Sequence, residues 1–483
     1  MVMVKKTYRC FLTAFVLTAT LLSYAAWTNL SADALVSSSI TLSSTGAIVI
    51  PSPNAAYVTC VIYLSNGITY VRNGSSGFNL YSDANAVSAF MAAFAYVSNG
   101  GSVTVQAGTY VGRSWNSGLT LGRYTCFTMR DCANVNVTFE PGAILTIADH
   151  MNVNVFTMFY NVNCTISNIQ IDGNSVVNGV YGNQGNERGV SSGIQIWNCD
   201  NCQVVGAKIT NCQRDGFVVG SDDDSYVPSG ITNSIITWCG SNGVTLEGWG
   251  NYANNVSVAA CSDVGITVWE GIGCRMTNNY VYDINWTYGS GGSSHYAYGV
   301  EYGSNYNRIE NNTALGCEAG IVVGTGMLYC SSNLVADNYI FNCKTGVGTF
   351  LASDNVFTRN RIVNWGKWYG AGIMLNNSTR DMVYLNTLTN SATFSSIGYA
   401  IYEMGTSHCS IYNNTIAMQP ESWVTAVFLE LGASNTLIRD NNVQADIGIW
   451  IADSTCMSNR VVQNNLANCT TAIIDGGTGT LRE

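Results

Sequence analysis

The chain has 483 residues, which is enough for two or three ordinary domains or for one long solenoid. Only 10% of the residues are charged, against about 25% in an average soluble domain. The net charge is −10, and no basic cluster is present. This balance argues against nucleic acid as a partner, because nucleic-acid-binding surfaces are rich in Lys and Arg.

The N-terminus has the pattern of an export signal. A basic start at residues 5–9 precedes an uncharged apolar run at 11–26, and Ala32-Asp33-Ala34 has the small-x-small form of a cleavage site. The run is short for a membrane span, which needs about 20 residues, so cleavage is favoured over an uncleaved anchor. We expect residues 1–34 to be a signal peptide and the mature chain, secreted or at the cell surface, to have no membrane span.

The next segments are a small β region and a helix. Residues 35–80 alternate between apolar and polar side chains and are punctuated by Gly and Asn, which predicts short strands. Residues 84–97 predict a helix, with Ser82 or Asp83 as its N-cap. A strand is predicted directly afterwards, at residues 102–110.

This region carries a family resemblance. The helix followed by Gly100-Gly-Ser-Val-Thr-Val-Gln-Ala-Gly-Thr-Tyr110 resembles the N-terminal cap of the pectate-lyase-like right-handed β-helix superfamily, and Ile169-Gln-Ile-Asp-Gly-Asn174 resembles its first-coil motif. That group includes polysaccharide lyases, polygalacturonase-type hydrolases, uronan epimerases, phage tailspikes and non-catalytic surface proteins. The resemblance covers about residues 80–475 and implies a fold rather than a reaction. The Gly-His-Gly and Arg-Ile-Lys motifs of the hydrolases and the Asp-Pro-His motif of the epimerases are missing.

One short strand is repeated along the rest of the chain. Its copies begin at Gly193, Gly216, Gly243, Gly265, Gly299, Gly320, Gly346 and Gly372, with weaker copies at Ala400, Ala426, Gly448 and Ala472. A strand this short cannot bury its apolar side alone, so each copy has to pack on the next. The repeat predicts a solenoid of about a dozen stacked coils.

Asparagine recurs once per repeat, ahead of a second short strand. The positions are Asn255, Asn279, Asn312, Asn338, Asn360, Asn386, Asn414, Asn442 and Asn465. Asn side chains in adjacent coils can pass amide hydrogen bonds along the stack, and Asn tolerates the left-handed backbone of a tight turn. This second register predicts a parallel β-helix. A β-sandwich with an Asn-rich surface is the alternative, but a sandwich has no reason to keep such a regular period.

Cysteine is abundant, and the sequence leaves its state open. Seventeen cysteines are present, and sixteen remain once Cys10 leaves with the predicted signal peptide. An even number in an exported chain is typical of disulfides. In coils about 4.8 Å apart, pairs such as Cys212–Cys239 or Cys317–Cys343 lie within reach of a disulfide bond. Free cysteines, buried as small hydrophobic residues, are the alternative.

Alternate residues of each strand face opposite sides, which predicts an outer face for the coils between residues 190 and 305. The positions two and four residues after each glycine place Gln195, Trp197, Thr245, Glu247, Thr267, Trp269 and Glu301 on this face, with Asp222 and Glu270 just beyond the strand ends. We expect these side chains to be exposed to solvent. Two insertions, at residues 176–192 and 285–298, flank these coils, and insertions in repeat folds gather on the binding side.

Exposed acids beside tryptophans suit sugar binding, because flat rings stack on sugars and carboxylates bind hydroxyls or move protons. The candidate catalytic residues are Asp215, Asp222, Glu247, Glu270 and Glu301. The candidate substrate-binding residues are Gln195, Trp197, Trp269, Arg188, Arg214 and Tyr296. Asp222, Asp223 and Asp224 are candidate ligands for Ca²⁺, which prefers oxygen.

Two reactions stay open. Hydrolysis needs two carboxylates, about 5 Å apart for retention and about 6.5–9.5 Å apart for inversion. Elimination needs a metal or Arg to neutralise a uronate and a base to remove the neighbouring proton, and Arg188, Lys208, Arg214, His295 and Tyr296 are candidates. Exposed acids are also common without any catalytic role, and a run of three Asp residues is often a plain polar turn.

The sequence thus predicts an exported all-β protein, a right-handed parallel β-helix with a short N-terminal helical cap. The predicted domains are a signal peptide at 1–34, a β segment at 35–80 and the β-helix at 81–480. The predicted function is binding, and in the enzymatic interpretation cleavage, of a polysaccharide or surface glycan on the coils between 190 and 305. The alternative is a non-catalytic adhesion, surface or structural protein.

Overall fold

The computed structural model describes residues 41–42, 48–49, 59–113, 124–175, 191–222, 226–284, 295–324, 328–366, 370–391, 398–419 and 424–483. The chain divides into two units, Met1–Val58 and Thr59–Glu483. In the first unit the described strands, Thr41–Leu42 and Ile48–Val49, pair antiparallel. The second unit is the β-helix. Within the described ranges, no helix combines the length and the apolar character needed to cross a bilayer.

The β-helix begins with a cap. Strands Thr59–Ser65, Ile68–Asn73 and Asn79–Asp83 form an antiparallel meander, and the first of them also pairs in parallel with Gly101–Val105. This pairing places residues 59–80 in the same compact unit as the coils. The unit therefore begins earlier in the chain than residue 81, where the sequence predicts the start of the β-helix. A helix, α1 (Ala86–Tyr96), follows the meander.

Helix α1 covers the open end of the first coils. Its N-cap is Asn85, whose side chain accepts a hydrogen bond from the amide of Val87, and not Ser82 or Asp83 as expected. Asp83 instead accepts a hydrogen bond from the amide of Asn85. The ring of Phe90 packs edge-on against Phe127 with centroids 5.0 Å apart. Because an open solenoid end exposes apolar core, this aromatic contact gives the helix its position.

Each coil contributes strands to three parallel sheets, here called sheet 1, sheet 2 and sheet 3. The chain passes through sheet 2, then sheet 3, then sheet 1 in each coil, over about 12 turns. Sheet 1 contains Thr125–Arg130, Asn154–Phe159, Ile194–Trp197, Phe217–Gly220, Val244–Trp249, Val264–Ile272, Tyr296–Glu301, Ala319–Val323, Thr345–Phe350, Ala371–Asn376, Tyr399–Met404 and Thr425–Glu430. Sheet 2 contains Thr59–Ser65, Gly101–Val105, Val135–Phe139, Thr165–Ser167, Gln203–Val205, Arg275–Thr277, Arg308–Glu310, Leu334–Ala336, Val356–Thr358, Met382–Tyr384, Ser410–Tyr412, Leu437–Arg439, Arg460–Val462 and Leu481–Arg482.

Sheet 3 contains Gly108–Gly112, Ala143–Ile147, Gln170–Asp172, Lys208–Thr210, Tyr280–Tyr282, Thr313–Leu315, Tyr339–Phe341, Arg361–Val363, Thr387–Asn390 and Thr415–Met418. Four longer strands serve two sheets. Gly230–Thr237 and Tyr252–Ala259 run from sheet 2 into sheet 3, and Asn442–Ile451 and Asn465–Asp475 run from sheet 3 into sheet 1. Cys330–Ser331 and Ala352–Ser353 form a further short parallel pair. These pairings confirm the predicted parallel β-helix.

The repeated glycine has a steric cause. A Cβ atom at Gly216 would lie 2.7 Å from the carbonyl oxygen of Gly243, and one at Gly243 would lie 2.6 Å from that of Gly265. One of the predicted repeat positions is wrong by two residues: the register pairs Val264 with Tyr296, so Ala297, and not Gly299, follows Gly265 in the column. The close approach of the backbones explains why glycine begins most copies of the strand.

The asparagines form the expected internal ladder between sheets 2 and 3. Asn338 Nδ2 donates to Oδ1 of Asn360 over 2.9 Å, and Asn338 Oδ1 accepts from Nδ2 of Asn312 over 3.1 Å. The buried ladder runs through Asn279, Asn312, Asn338, Asn360, Asn386, Asn414, Asn441 and Asn464. The expected members Asn255, Asn442 and Asn465 lie outside it.

In the paired Asn-Asn turns, the two residues have different roles. Asn278 is left-handed, with φ 57°, while the side chain of Asn279 enters the ladder. Asn311 repeats this backbone, also with φ 57°, ahead of Asn312. The first asparagine therefore makes the turn, and the second satisfies buried backbone groups.

The described cysteines are all free thiols, and all but the half-exposed Cys469 are buried. Cys212 and Cys239 occupy neighbouring positions of the stack, as do Cys317 and Cys343, but neither pair is bonded. Burial raises the pKa of the Cys60 thiol to about 11 and that of Cys274 to about 12. The structure therefore has the second of the two expected states, cysteine as a small core residue.

Candidate functional site

The residues predicted to lie on the outer face of sheet 1 do share one face. The register aligns one outward-facing position near the end of each sheet 1 strand into a single column, here called the outer column. It contains Arg130, Phe159, Trp197, Gly220, Glu247, Trp269, Glu301, Gly324, Phe350, Asn376, Met404 and Glu430. Aromatic and acidic side chains that are distant in sequence are neighbours in this column.

The ring of Trp197 packs beside a position of the outer column that has no side chain. The next residue of the column is Gly220, where a Cβ would be 2.6 Å from an atom of the indole ring. The indole Nε1 donates to Oδ1 of Asp222 over 3.0 Å, and Asn198 Nδ2 donates to Oδ2 of the same carboxylate over 2.7 Å. Trp197 also packs with Phe159 and Val218 in a buried apolar cluster. Asp222 thus holds the indole in place, a structural role that its exposed position did not suggest.

Most of the outer face is not exposed, and that expectation was wrong. The relative exposure of Glu247 is 8%, that of Glu301 is 5% and that of Trp197 is 5%. The other buried members are Gln195, Thr245 and Thr267. Side chains on coils about 4.8 Å apart pack against one another as well as against solvent. A side chain that points away from the core of a stacked sheet is therefore not necessarily exposed to solvent.

The acids of the outer column are separated by an aromatic pair. Trp269 lies between Glu247 and Glu301, and its ring stacks on Tyr302 with centroids 3.7 Å apart. Trp269 and Tyr302 are both half-buried. Thr267 Oγ1 donates to Oε2 of Glu301 over 3.3 Å. The stacked pair offers an accessible aromatic surface with a hydrogen-bonded carboxylate beside it.

Glu270 is brought to the surface by a β-bulge. The pairing of the two strands shifts after Glu247, so that Gly248 pairs with Gly271 and Glu270 is the extra residue. Glu270 has φ 51°, a left-handed backbone, and its side chain is exposed. Bulges redirect side chains in this way near functional sites, and Glu270 is therefore an exposed acid beside Trp269.

A second group of charged residues lies at the edge where the strands of sheet 1 begin. Side chains from successive coils align here, and this group is called the edge row. Its charged members are Arg214, Asp263, His295, Glu318 and Lys344; Ser241 lies between Arg214 and Asp263, and Asp215 is beside Arg214. The nearest charged atoms of Arg214 and Asp215 are 3.6 Å apart. His295 Nδ1 and Lys344 Nζ each lie 3.1 Å from an oxygen of Glu318.

The carboxyl groups of the edge row have perturbed pKa values. Burial raises the pKa of Asp215, against the opposing effect of Arg214. Burial, together with the charge of Asp215, raises the pKa of Asp263 to about 6. Hydrogen bonds from Lys344 and His295 outweigh burial and hold the pKa of Glu318 below its ordinary value. A carboxyl group with a pKa near neutrality can both take up and release a proton under mild conditions.

Sequence reasoning identified Arg214, Asp215 and His295 but missed three members of the edge row, Asp263, Glu318 and Lys344. A signal was available in the repeat itself. Arg214 precedes Gly216 by two positions, and Asp263 precedes Gly265 by the same interval. Tyr296, which follows His295, is half-buried and lies in register with Val264.

The remaining predictions do not join this site. Arg188, Asp223 and Asp224 lie outside the described residues. Lys208 begins a strand of sheet 3, and its exposed side chain is therefore on a different sheet. Within the described parts of the chain, no three His, Cys, Asp or Glu residues are arranged to hold a metal ion.

Comparison with known proteins agrees with this architecture. A family model described as right-handed β-helix region matches residues 192–362 and 287–416. The A-module of mannuronan C-5 epimerase AlgE4 from Azotobacter vinelandii is similar, with a TM-score of 0.50 and 17% identity over 72% of this chain and 96% of that one. A mutant tailspike protein of E. coli bacteriophage HK620, in complex with a hexasaccharide, has a TM-score of 0.52 and 14% identity over 82% of this chain and 76% of that one.

A comparison with curated protein sequences gives no match. The family model and the structural likenesses confirm the right-handed β-helix fold that the resemblance implied.

Proposed function

We propose that the protein binds a polysaccharide on the outer face of sheet 1, between the coils of Trp197 and Glu301. The observation that carries this proposal is the stacked, half-exposed pair of Trp269 and Tyr302 beside the exposed Glu270. Aromatic rings offer a flat apolar surface for a sugar ring, and a neighbouring carboxylate accepts hydrogen bonds from its hydroxyls.

Two similar folds support a saccharide as the ligand class. One of them is named for its action on mannuronan, and the other was solved with a hexasaccharide. The identity to both is low, so their chemistry is not transferred residue by residue. The net charge of −10 favours a neutral polymer, or an acidic one engaged through Arg214.

Binding is tested on a panel of polymers: alginate, polygalacturonate and dextran. Trp269→Ala is expected to weaken binding of the recognised polymer at least fivefold, because it removes the ring on which the sugar stacks. Tyr384→Ala removes a ring from sheet 2 and serves as the matched control. Wild-type protein that binds none of the polymers, or Trp269→Ala that binds as well as wild type, contradicts the proposal.

A second candidate function is proton transfer on the bound sugar, favoured by the edge row. Asp263 has a pKa of about 6 and lies among Arg214, Asp215 and His295. We propose Asp263 as the acid–base group, with Arg214 as the group that neutralises a uronate carboxylate. Glu247 and Glu301 are buried within the outer column, and we propose supporting roles for them. Hydrolysis and elimination both remain compatible with this assignment.

Catalysis is measured as new reducing ends or as absorbance from unsaturated uronates on the same panel. Asp263→Asn is expected to abolish turnover while polymer binding is kept. Glu247→Gln and Glu301→Gln are expected to leave the pH profile of turnover unchanged. Absence of product from every polymer, with binding intact, favours the alternative of a non-catalytic surface or adhesion protein.

We also propose that the mature protein is exported, from the signal pattern at residues 1–34. N-terminal sequencing of protein purified from the producing cells tests this. A mature N-terminus close to residue 35 supports export with cleavage, and an intact Met1 contradicts it.

A further inference from the structure

The outer face of sheet 1 carries a second aromatic group, far along the stack from Trp269. Tyr399 and Tyr402 lie on one coil, Phe428 on the next, and Trp450 on the one after that. These four residues are here called the distal patch. The proposed function does not use them.

The rings of the distal patch form one continuous surface. Tyr399 stacks on Phe428 with centroids 4.7 Å apart and an interplanar angle of 5°. Phe428 contacts Trp450 with centroids 5.0 Å apart. Phe428 is buried at the centre, while Tyr399, Tyr402 and Trp450 are half-exposed around it. The buried ring of Phe428 thus packs at the centre of three half-exposed rings.

The distal patch also has a polar edge. The hydroxyl of Tyr402 donates a hydrogen bond to Oε1 of Glu430, a member of the outer column. An apolar platform with a hydroxyl and a carboxylate at its rim matches a sugar ring, which has apolar C–H faces and polar edges. The same combination of rings and an acid occurs at Trp269, Tyr302 and Glu270.

Two columns of residues connect the two aromatic groups on the outer face of sheet 1. The column that leads from Thr267 to Tyr402 contains Gly299, Val322, Gly348 and Met374 in order. The outer column beside it contains Glu301, Gly324, Phe350 and Asn376, so small and apolar residues make up most of this face. From Trp269 the outer column advances five coils to Met404, which corresponds to about 24 Å at about 4.8 Å per coil.

We propose that the distal patch is a second binding site for the same polysaccharide, so that one chain lies along sheet 1 and contacts both aromatic groups. This inference rests on the proposed function and adds to it that the natural ligand is a long polymer. Two linked contacts on one ligand raise the apparent affinity for a long chain, whereas a short fragment reaches one group at a time.

The test compares ligand lengths. Alginate, polygalacturonate and dextran are each presented as a polymer and as a trisaccharide to wild type, Trp269→Ala and Trp450→Ala. Trp450→Ala is expected to weaken polymer binding at least fivefold and to leave trisaccharide binding at the Trp269 site unchanged. Trp269→Ala is expected to weaken both. Tyr399→Ala is a second patch variant, and Tyr384→Ala, on sheet 2, is the control.

The outcomes separate the two proposals. Polymer binding by both patch variants at wild-type strength, with Trp269→Ala impaired, overturns the distal patch and leaves the proposed function standing. Impairment by Trp450→Ala but not by Trp269→Ala overturns the proposed site and keeps the patch as the binding surface. No binding by wild type overturns both. Thermal unfolding of each variant establishes that a lost interaction does not reflect lost folding.

Discussion

Trp197 and Asp222 are 25 residues apart in sequence, and a 3.0 Å hydrogen bond from the indole Nε1 to Oδ1 joins them. The bond forms because Gly220 leaves room for the indole between the two coils. Asp222 also accepts a hydrogen bond from Asn198 and returns one from its own amide. An acid that the sequence presents as catalytic or metal-binding is therefore occupied in fixing the aromatic residue beside the site.

Gly220→Ala is expected to destabilise the protein. The new Cβ would lie 2.6 Å from an atom of the Trp197 ring and 3.0 Å from Cβ of Glu247, so the indole has to move. Overpacking of this kind costs about 1–3 kcal/mol, measured as a lower free energy of unfolding in denaturant. Loss of the Trp197–Asp222 bond also changes the fluorescence of the indole.

Gly348→Ala is the matched control, because it lies on the same sheet face and a Cβ there makes only ordinary contacts of 3.6 Å or more. Equal destabilisation by both substitutions contradicts a specific role for the space at Gly220.

Much of the fold could be predicted from periodicity, since the steric cause of the repeat is local. The glycine column follows from backbone contacts between adjacent coils, and its spacing is visible in sequence. The exception is Gly299, where the insertion at 285–298 hides the phase and the true equivalent is Ala297. A shift of two residues keeps the face of a strand. The predicted position of Glu301 therefore has the correct face but the wrong column.

The site was less predictable, because exposure and pairing depend on neighbours from other coils. Glu247 and Glu301 are on the predicted face, yet their neighbours bury them. Asp263 is one of two acids of the edge row that the sequence analysis does not select, and its perturbed pKa comes from burial and from Asp215, on another coil. The positions of such groups can be read from the sequence, but their exposure to water depends on residues of neighbouring coils.

Asn338→Ala is expected to destabilise the β-helix by more than a surface substitution does. The change removes the acceptor for Asn312 Nδ2 and the donor to Ile309 O and Asn360 Oδ1, all of them buried. Leaving buried groups unpaired costs about 1–3 kcal/mol each, seen as a lower denaturant midpoint. Asn136→Ala, at an exposed position of sheet 2, is expected to change the midpoint little. Similar effects of the two changes would argue against an energetic role for the ladder.

The cysteines are expected to react as free but protected thiols. Native protein treated with iodoacetamide is expected to be modified first at Cys469, the half-exposed one, while burial keeps the other fifteen described thiols unreactive. Denatured, non-reduced protein is expected to take up label at all of them, as measured by mass spectrometry. Cys469→Ser removes the early product. Peptides that stay unlabelled until a reductant is added would reveal disulfides instead.

Two acids lie inside the β-helix, away from the candidate site. A second ladder of amide hydrogen bonds runs from Asn307 through Asn333 to Asn355. Asp381 ends it, and its Oδ1 accepts hydrogen bonds from the amide and from Nδ2 of Asn355. Glu403 is buried, and its Oε2 accepts from Thr406 and Thr436. Burial raises the pKa of each carboxyl group to about 7. Both acids are therefore protonated in the folded state at mildly acidic pH.

These raised values predict a stability that falls with rising pH. Below the ordinary values of 3.8 and 4.5, both states hold the protons and no penalty applies. Between about pH 4 and pH 7 the unfolded chain releases protons that the folded chain retains, so the free energy of unfolding decreases up to about pH 7.

Asp381→Asn keeps the acceptor that Asn355 needs, as asparagine does at the preceding positions of this ladder. It is expected to stabilise the protein by roughly 1–4 kcal/mol at pH 8 and hardly at all at pH 4. Urea unfolding at both pH values measures this, with the exposed Asp149→Asn as control; a gain at pH 4 equal to that at pH 8 would show that packing, and not ionisation, is responsible.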